Sequence, residues 1–431
     1  MSTLDPKLPL IQNAGLEGKV VLARVDHNVV EKGVIKDAFR IDSTFGLIHF
    51  VASRGGFPVL MTHVGRTRDK KTGHIKTGPE TSVAPIVDYL ERKLNGGFVI
   101  PELAADPDLG IAAPDPKALE PLLKRLKSRE IGGIYLPNTR WFAGEESKDD
   151  RTKALAEFLA AVADVYVNDA FGSWQPHAST FDVAAKLPPY AGFLMQKELV
   201  HLDLVLNPEP PFLGVVAGAK YDTKIGPLLK LYEKADSLLL GGVIYNAFLA
   251  AKYGVKIKGV EEEDVKLAAD LVARDKSAGK ILEPGVLVES PVFGERDPAK
   301  VKAARVKDFK EGQEYGYFLD IAPESFDCPR IASAISGAKT IFVNAVMGLT
   351  PAYFEGSARF YSEVGRNRAA RKLFGGGDTL QELKLLTPGL YLEALDDDSY
   401  YFFTGGGAVL TAIESGAYGI KPVKALLDNA G

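Results

Sequence analysis

Short apolar runs recur along the chain at 20–24, 57–61, 131–136 and 165–167. They recur in the second half at 212–216, 237–240, 281–288, 315–321, 340–343, 372–374 and 400–403. Bounded by Gly, Pro or polar clusters, such runs predict buried strands. Between them, 40–54, 80–94, 117–128, 149–163 and 262–278 carry apolar residues at helical spacing. Leu155, Phe158, Leu159 and Val162 share one face of such a helix, and so do Phe45, Ile48, Phe50 and Val51. Strand, polar tip and helix in repetition predict an α/β fold, a mainly parallel sheet with helices on both faces.

A length of 431 residues exceeds what one core usually holds, so two lobes are expected. Leu187-Pro188-Pro189 is a breaker, 192–206 reads as one helix, and Asn207-Pro-Glu-Pro-Pro211 follows it. The division expected is therefore a first lobe at 1–187, an interdomain helix at 188–206 and a second lobe from 207 to 418. Both lobes are expected to be Rossmann-like.

Composition narrows the function. A net charge of -4 disfavours sequence-independent nucleic-acid binding. One cysteine, Cys328, excludes an intrachain disulfide and fits a reducing compartment, with the thiol expected to be buried packing. No apolar run reaches the length of a membrane span, and the first residues lack a signal-peptide pattern. Cytoplasmic placement is expected, and so is a monomer because no long apolar stripe calls for assembly. Metal-ligand spacings of the Cys-x-x-Cys kind, G-x-G-x-x-G and G-x-x-x-x-G-K-[ST] are all missing, which disfavours a dinucleotide dehydrogenase or a P-loop enzyme.

The strand tips carry the chemistry. In the first half they read Arg24-Val-Asp26-His-Asn28, Thr62-His63-Val64-Gly65-Arg66 and Asn138-Thr-Arg140, with Arg40 at a helix start. Arginine forks bind carboxylate and phosphate in bidentate fashion, so the ligand expected is a small anion bearing both. In the second half a strand runs into Gly218-Ala219-Lys220, with Lys224 four residues on. Gly241-Gly242, Gly375-Gly376-Gly377-Asp378-Thr379 and Gly405-Gly406-Gly407 likewise open helices. Such helix starts offer backbone donors and partial positive charge to polyphosphate. Asp378 suits either an oxygen ligand to phosphate-bound Mg²⁺ or a helix cap.

Seven motifs taken together, R-V-D-H-N at 24–28, T-H-V-G-R at 62–66, D-V-Y-V-N-D-A-F-G at 164–172, A-G-A-K at 217–220, N-A-V-M-G at 344–348, G-G-G-D-T at 375–379 and T-G-G-G-A at 404–408, resemble phosphoglycerate kinases in the same order. The resemblance implies reversible phosphoryl transfer between 1,3-bisphosphoglycerate and ADP, giving 3-phosphoglycerate and ATP with Mg²⁺. It implies hinge closure, and a segment at 419–431 that returns to the first lobe. It assigns phosphoglycerate to Asp26, Asn28, Arg40, His63, Arg66, Arg140 and His177. It assigns nucleotide to Gly218, Ala219, Lys220, Lys224, Gly241, Gly242, Phe318, Asn344, Gly376, Gly377, Asp378 and Thr379. Arg40, Lys220, Gly376 and Gly406 would meet the phosphoryl group in transfer, and Asp378 the metal. Because the accepting oxygens are already anionic, no general base is required; fixed cations and N–H donors are.

The chain also departs from the family. Ser173-Trp174-Gln175-Pro176-His177 lacks the His-Arg pair, Phe318 stands where the adenine pocket has glycine, and the ribose-reading Glu is either replaced by Pro351 or moved to Glu355. Retained transfer with altered nucleotide preference is the expectation these changes raise. The alternatives are a kinase for a related acyl phosphate and a non-catalytic paralogue.

Overall fold

The computed structural model describes residues 4–218 and 224–430. The chain forms two compact units, Met1–Val200 with Ala417–Gly431, and His201–Gly416. Each contains one six-stranded sheet. The first unit contributes β1 (Val20–Val25), β2 (Phe57–Met61), β3 (Phe98–Val99), β4 (Gly133–Tyr135), β5 (Val165–Asp169) and β6 (Pro189–Ala191), in the order β3-β4-β2-β1-β5-β6. The second contributes β7 (Phe212–Gly218), β8 (Ser237–Gly241), β9 (Ile281–Leu282), β10 (Thr340–Asn344), β11 (Arg371–Gly375) and β12 (Tyr400–Phe403), ordered β9-β8-β7-β10-β11-β12.

Neighbouring strands in both sheets are parallel. Parallel sheets are covered on both faces, which demands apolar runs rather than alternation. β1 and β10 are accordingly buried at every position. All strand carboxyl ends of a unit therefore share one edge. The winding reverses where β1 meets β5 and where β7 meets β10, the places where such sheets open a crevice for ligand. The α/β expectation holds in both units.

Several boundaries differ from the sequence reading. Residues 281–288 were expected as one strand, but Pro284-Gly285 separates Ile281–Leu282, in the main sheet, from Val286–Ser290. The latter pairs antiparallel with Lys302–Arg305 and Tyr317–Ile321 in a small sheet of its own. The helix expected from 80 begins at Ala84, behind a 3₁₀ turn at Pro79–Thr81. Pro189 starts an edge strand, a position that tolerates proline, so the connecting helix begins only at Phe193 and runs to Leu206. Cys328 is exposed, not core. The terminal helix Lys421–Asp428 packs on β6 and on the 3₁₀ turn Asp182–Ala185 within the first unit.

The connecting helix is anchored by one buried carboxylate. Asp169, at the end of β5, accepts the Met195 backbone N–H at 3.0 Å through Oδ1, while Oδ2 is buried without a partner among the described residues. Burial pushes its pKa up to about 7, and nearby Asp26 adds to the shift. A carboxyl held neutral in this way stabilises the fold below the unfolded pKa, and that contribution is lost as pH rises through about 7. Asp169→Asn keeps the acceptor and removes the titration. In urea unfolding the variant should gain on the parent between pH 5 and pH 8 by up to about 2.5 kcal/mol. An unchanged difference at the two pH values would show that Asp169 is ionised throughout.

Candidate active site

In the first unit the ends of β1, β2, β4 and β5 bring Asp26, Asn28, His63, Arg140 and Ser173 to one edge. Asn28 Oδ1 accepts the Gly65 N–H at 2.8 Å, and Arg140 donates to the Gly65 carbonyl, so the loop after β2 is held from two sides. Asn138 fixes the same loop by accepting from Val64 N and donating to Val64 O and Thr81 O. Arg40 stands 3.5 Å from Asp26 Oδ1. Asp26 is 1% exposed, and its Oδ2 has no partner among the described residues, so an acceptor is left for a ligand hydroxyl or N–H. Arg66 is exposed beside Gly65, and His177 is half-buried.

Other residues at this edge were not legible as site residues. Arg24 is fully buried at the end of β1 and donates to Ser179 Oγ, Val25 O, Ser173 Oγ and His63 Nδ1. Ser179 Oγ donates in turn to buried Glu145 at 2.5 Å. Glu146 pairs with Arg140 at 2.8 Å and lies 4.0 Å from His177. A charged residue inside an otherwise apolar strand is the one sequence signal for Arg24, since such a group is buried only with partners. His27 lies underneath, bonded to Tyr135 and Thr44. Burial lowers its pKa to about 3, which makes it a neutral packing residue.

In the second unit the glycine turns converge at the carboxyl edge of β7, β8, β10, β11 and β12. Lys224 Nζ donates to Ala217 O at 2.7 Å and to Asn344 Oδ1 at 3.0 Å. Asn344 Nδ2 donates to Gly375 O at 2.6 Å, and Thr379 Oγ1 accepts from Ala345 N. A Cβ on Gly406 would stand 2.7 Å from Gly376 Cα, and one on Gly242 would stand 2.9 Å from Gly218 O. Backbones approach here more closely than any side chain permits, which explains why these turns are glycine. Gly376 and Gly405 precede the helices Gly377–Leu386 and Gly406–Ser415. Burial lowers the Lys224 pKa to about 8, opposed by the charge of Asp378. Asp378, in the first turn of its helix, is exposed. Among the described residues no group of three His, Cys, Asp or Glu could hold a metal unaided.

Lys220 and Ala219 lie outside the described residues. Phe318 lies on the strand Tyr317–Ile321 of the small antiparallel sheet. Its buried ring packs on Phe309 and Tyr315, and its carbonyl accepts from Asn246 in the helix that starts at Gly242. Glu355 heads the helix Glu355–Arg366 and pairs with Arg296. Glu382 accepts from Thr350 in the segment before that helix and from Ser357 and Tyr361 within it, and Asp320 accepts from Gly356 N in its first turn.

Comparison with known proteins agrees in extent. Residues 11–416 match the family model described as phosphoglycerate kinase. The phosphoglycerate kinase of Lactobacillus gasseri is 34% identical over 402 residues, covering 88% of this chain and 91% of that one. That of Roseiflexus sp. (strain RS-1) is 35% identical over 376 residues, with coverage of 86% and 89%. The solved structure of phosphoglycerate kinase from Coxiella burnetii superposes with a TM-score of 0.75 at 26% identity, covering 98% of this chain and all of the other. Matched along nearly its whole length in sequence and in fold, this chain belongs to the phosphoglycerate kinase family.

Proposed function

We propose that the chain transfers a phosphoryl group between 1,3-bisphosphoglycerate and ADP, with phosphoglycerate held by the first unit and nucleotide by the second. The observation that carries this reading is the pair of anion-binding edges, each at the carboxyl ends of one parallel sheet. Asp26, Asn28, His63, Arg66 and Arg140, with Arg40 and His177, make up the first edge. The unpartnered oxygen of Asp26 suits the hydroxyl of the glycerate. Gly218, Gly241, Gly242, Asn344, Gly376, Gly377 and Thr379 surround the nucleotide phosphates, with Lys224 supplying charge. Asp378 would hold Mg²⁺, which supplies neutralisation of phosphate charge.

Chemistry then asks little of the protein beyond placement. The nucleophile is a carboxylate or an ADP oxygen, already anionic. Arg40 and Lys224 offer fixed positive charge to the oxygens of the group in flight, and the turns at Gly376 and Gly406 offer N–H donors. Transfer requires the two ligands to meet, and we assign that motion to bending about the helix Phe193–Leu206. Cytoplasmic location and a monomeric state belong to the same reading; no described helix is long and apolar enough to cross a membrane.

A second reading, altered nucleotide preference, rests on Phe318, Pro351 and the Glu355–Arg296 pair. Turnover measured with 3-phosphoglycerate and Mg²⁺ complexes of ATP and GTP decides between them. Phosphoglycerate-dependent ADP formation with ATP strongly preferred supports an ordinary donor, comparable rates support the second reading, and no turnover with either overturns both. Lys224→Met should lower kcat by about 10²–10³, the usual cost of losing one transition-state donor. With Lys224 near pKa 8, kcat/KM for nucleotide should fall as pH rises through about 8 while the cation is lost. Lys224→Arg should abolish that limb; its persistence would assign the titration to another group.

A further inference from the structure

We propose that Arg24 is a positioning residue that locks His63 in its Nε2–H tautomer, so that the ring offers a fixed N–H donor to the anionic substrate of the first unit. The inference rests on the reading of that edge as the phosphoglycerate site. Arg24 Nη2 stands 2.7 Å from His63 Nδ1, and Ser173 Oγ lies 3.5 Å from the same nitrogen. A guanidinium has donors only, so Nδ1 must be the acceptor and the ring proton must sit on Nε2. Nε2 has no hydrogen-bond partner among the described residues and remains available to ligand. An imidazolium would set an Nδ1–H against the guanidinium, so the same contact also excludes the charged ring.

Arg24 is itself immobilised. It is 1% exposed, and its other donors go to Ser179 Oγ at 3.0 Å, Val25 O at 2.6 Å and Ser173 Oγ at 3.2 Å. Ser179 is fixed by Glu145 through both its hydroxyl and its backbone N–H. The chain Glu145–Ser179–Arg24, buried throughout, thus carries orientation to His63, as second-layer partners do for metal-bound imidazoles. The charged and titratable groups facing His63 are Arg24, Arg140, His177 and Arg40. Desolvation comes first and these neighbours next in holding its pKa well below the usual histidine value. The network lies where the Ser173–His177 segment lacks the family's arginine, so a neutral donor of fixed direction matters more at this edge.

The test is nitrogen-15 spectroscopy of histidine-labelled full-length protein, with the His63 signals identified by their loss in His63→Gln. The proposal expects a protonated Nε2, an unprotonated Nδ1 and no change between about pH 6 and 8, a range in which an unperturbed histidine titrates. An Nδ1–H tautomer, or titration within that range, overturns it. Arg24→Met should let His63 sample both tautomers and titrate. It should also raise the KM for 3-phosphoglycerate about tenfold, the worth of one oriented hydrogen bond, with a new pH limb in kcat/KM. Unchanged nucleotide affinity in that variant confirms that the second unit is intact. A folded variant with unmoved tautomer and pH profile overturns the proposal, and if the variant does not fold the wild-type spectrum alone decides. Should the tautomer be as stated while 3-phosphoglycerate leaves the Nε2 signal unmoved, the role of Arg24 stands and the phosphoglycerate reading of the edge fails.

Discussion

One side-chain amide ties the carboxyl edge of the second sheet together. Asn344, the last residue of β10, accepts from Lys224 and donates to Gly375 O, so a cation from the helix after β7 and a glycine turn after β11 are fixed to the central strand. Neither bond could form unless β7, β10 and β11 were parallel neighbours in register, which places all three carboxyl ends together. The register depends on the buried apolar runs of these strands, and the runs depend on helices covering both faces. The geometry of this edge follows from sheet topology by way of a single polar residue.

The first unit solves a related problem with charge. Its edge gathers Arg24, Arg40 and Arg140, a concentration that would repel itself without acidic partners. Asp26, Glu145 and Glu146 supply them, each in a different way. Asp26 faces Arg40 while keeping one oxygen unpartnered, Glu145 reaches Arg24 only through Ser179, and Glu146 pairs directly with Arg140. A ligand carboxylate or phosphate at the proposed site would therefore meet cations that are already oriented, which is the condition under which fixed charge stabilises a transferring phosphoryl group most effectively. Cations with competing carboxylates bind less tightly than bare ones, but they do not have to reorganise.

Much of this was legible in the sequence, and for a stated reason. Strands buried on both faces leave unbroken apolar runs, and their polar tips stand out against them, so Asp26, His63 and Arg140 could be read at one sheet edge and Asn344 and the glycine turns at another from the sequence itself. What was not legible depended on contacts between distant segments. Arg24 looked like the end of a strand, and only the fold brings Ser173, Ser179 and Glu145 to it. Proline misled in both directions: Pro189 read as a breaker but opens an edge strand, whereas Pro284 splits a run that read as continuous. The packing of the Phe318 ring on Phe309 and Tyr315 is likewise a tertiary contact that spacing along the chain does not reveal.

The central claim is that each unit carries a complete and separate anion site at its own sheet edge. Calorimetric titration of 3-phosphoglycerate alone and of ADP alone, into Arg140→Met and Lys224→Met proteins, tests it most directly. Arg140→Met should weaken only 3-phosphoglycerate and Lys224→Met only the nucleotide, each by at least about tenfold for the loss of a charge-assisted contact. Equal weakening of both ligands by either substitution would contradict the account.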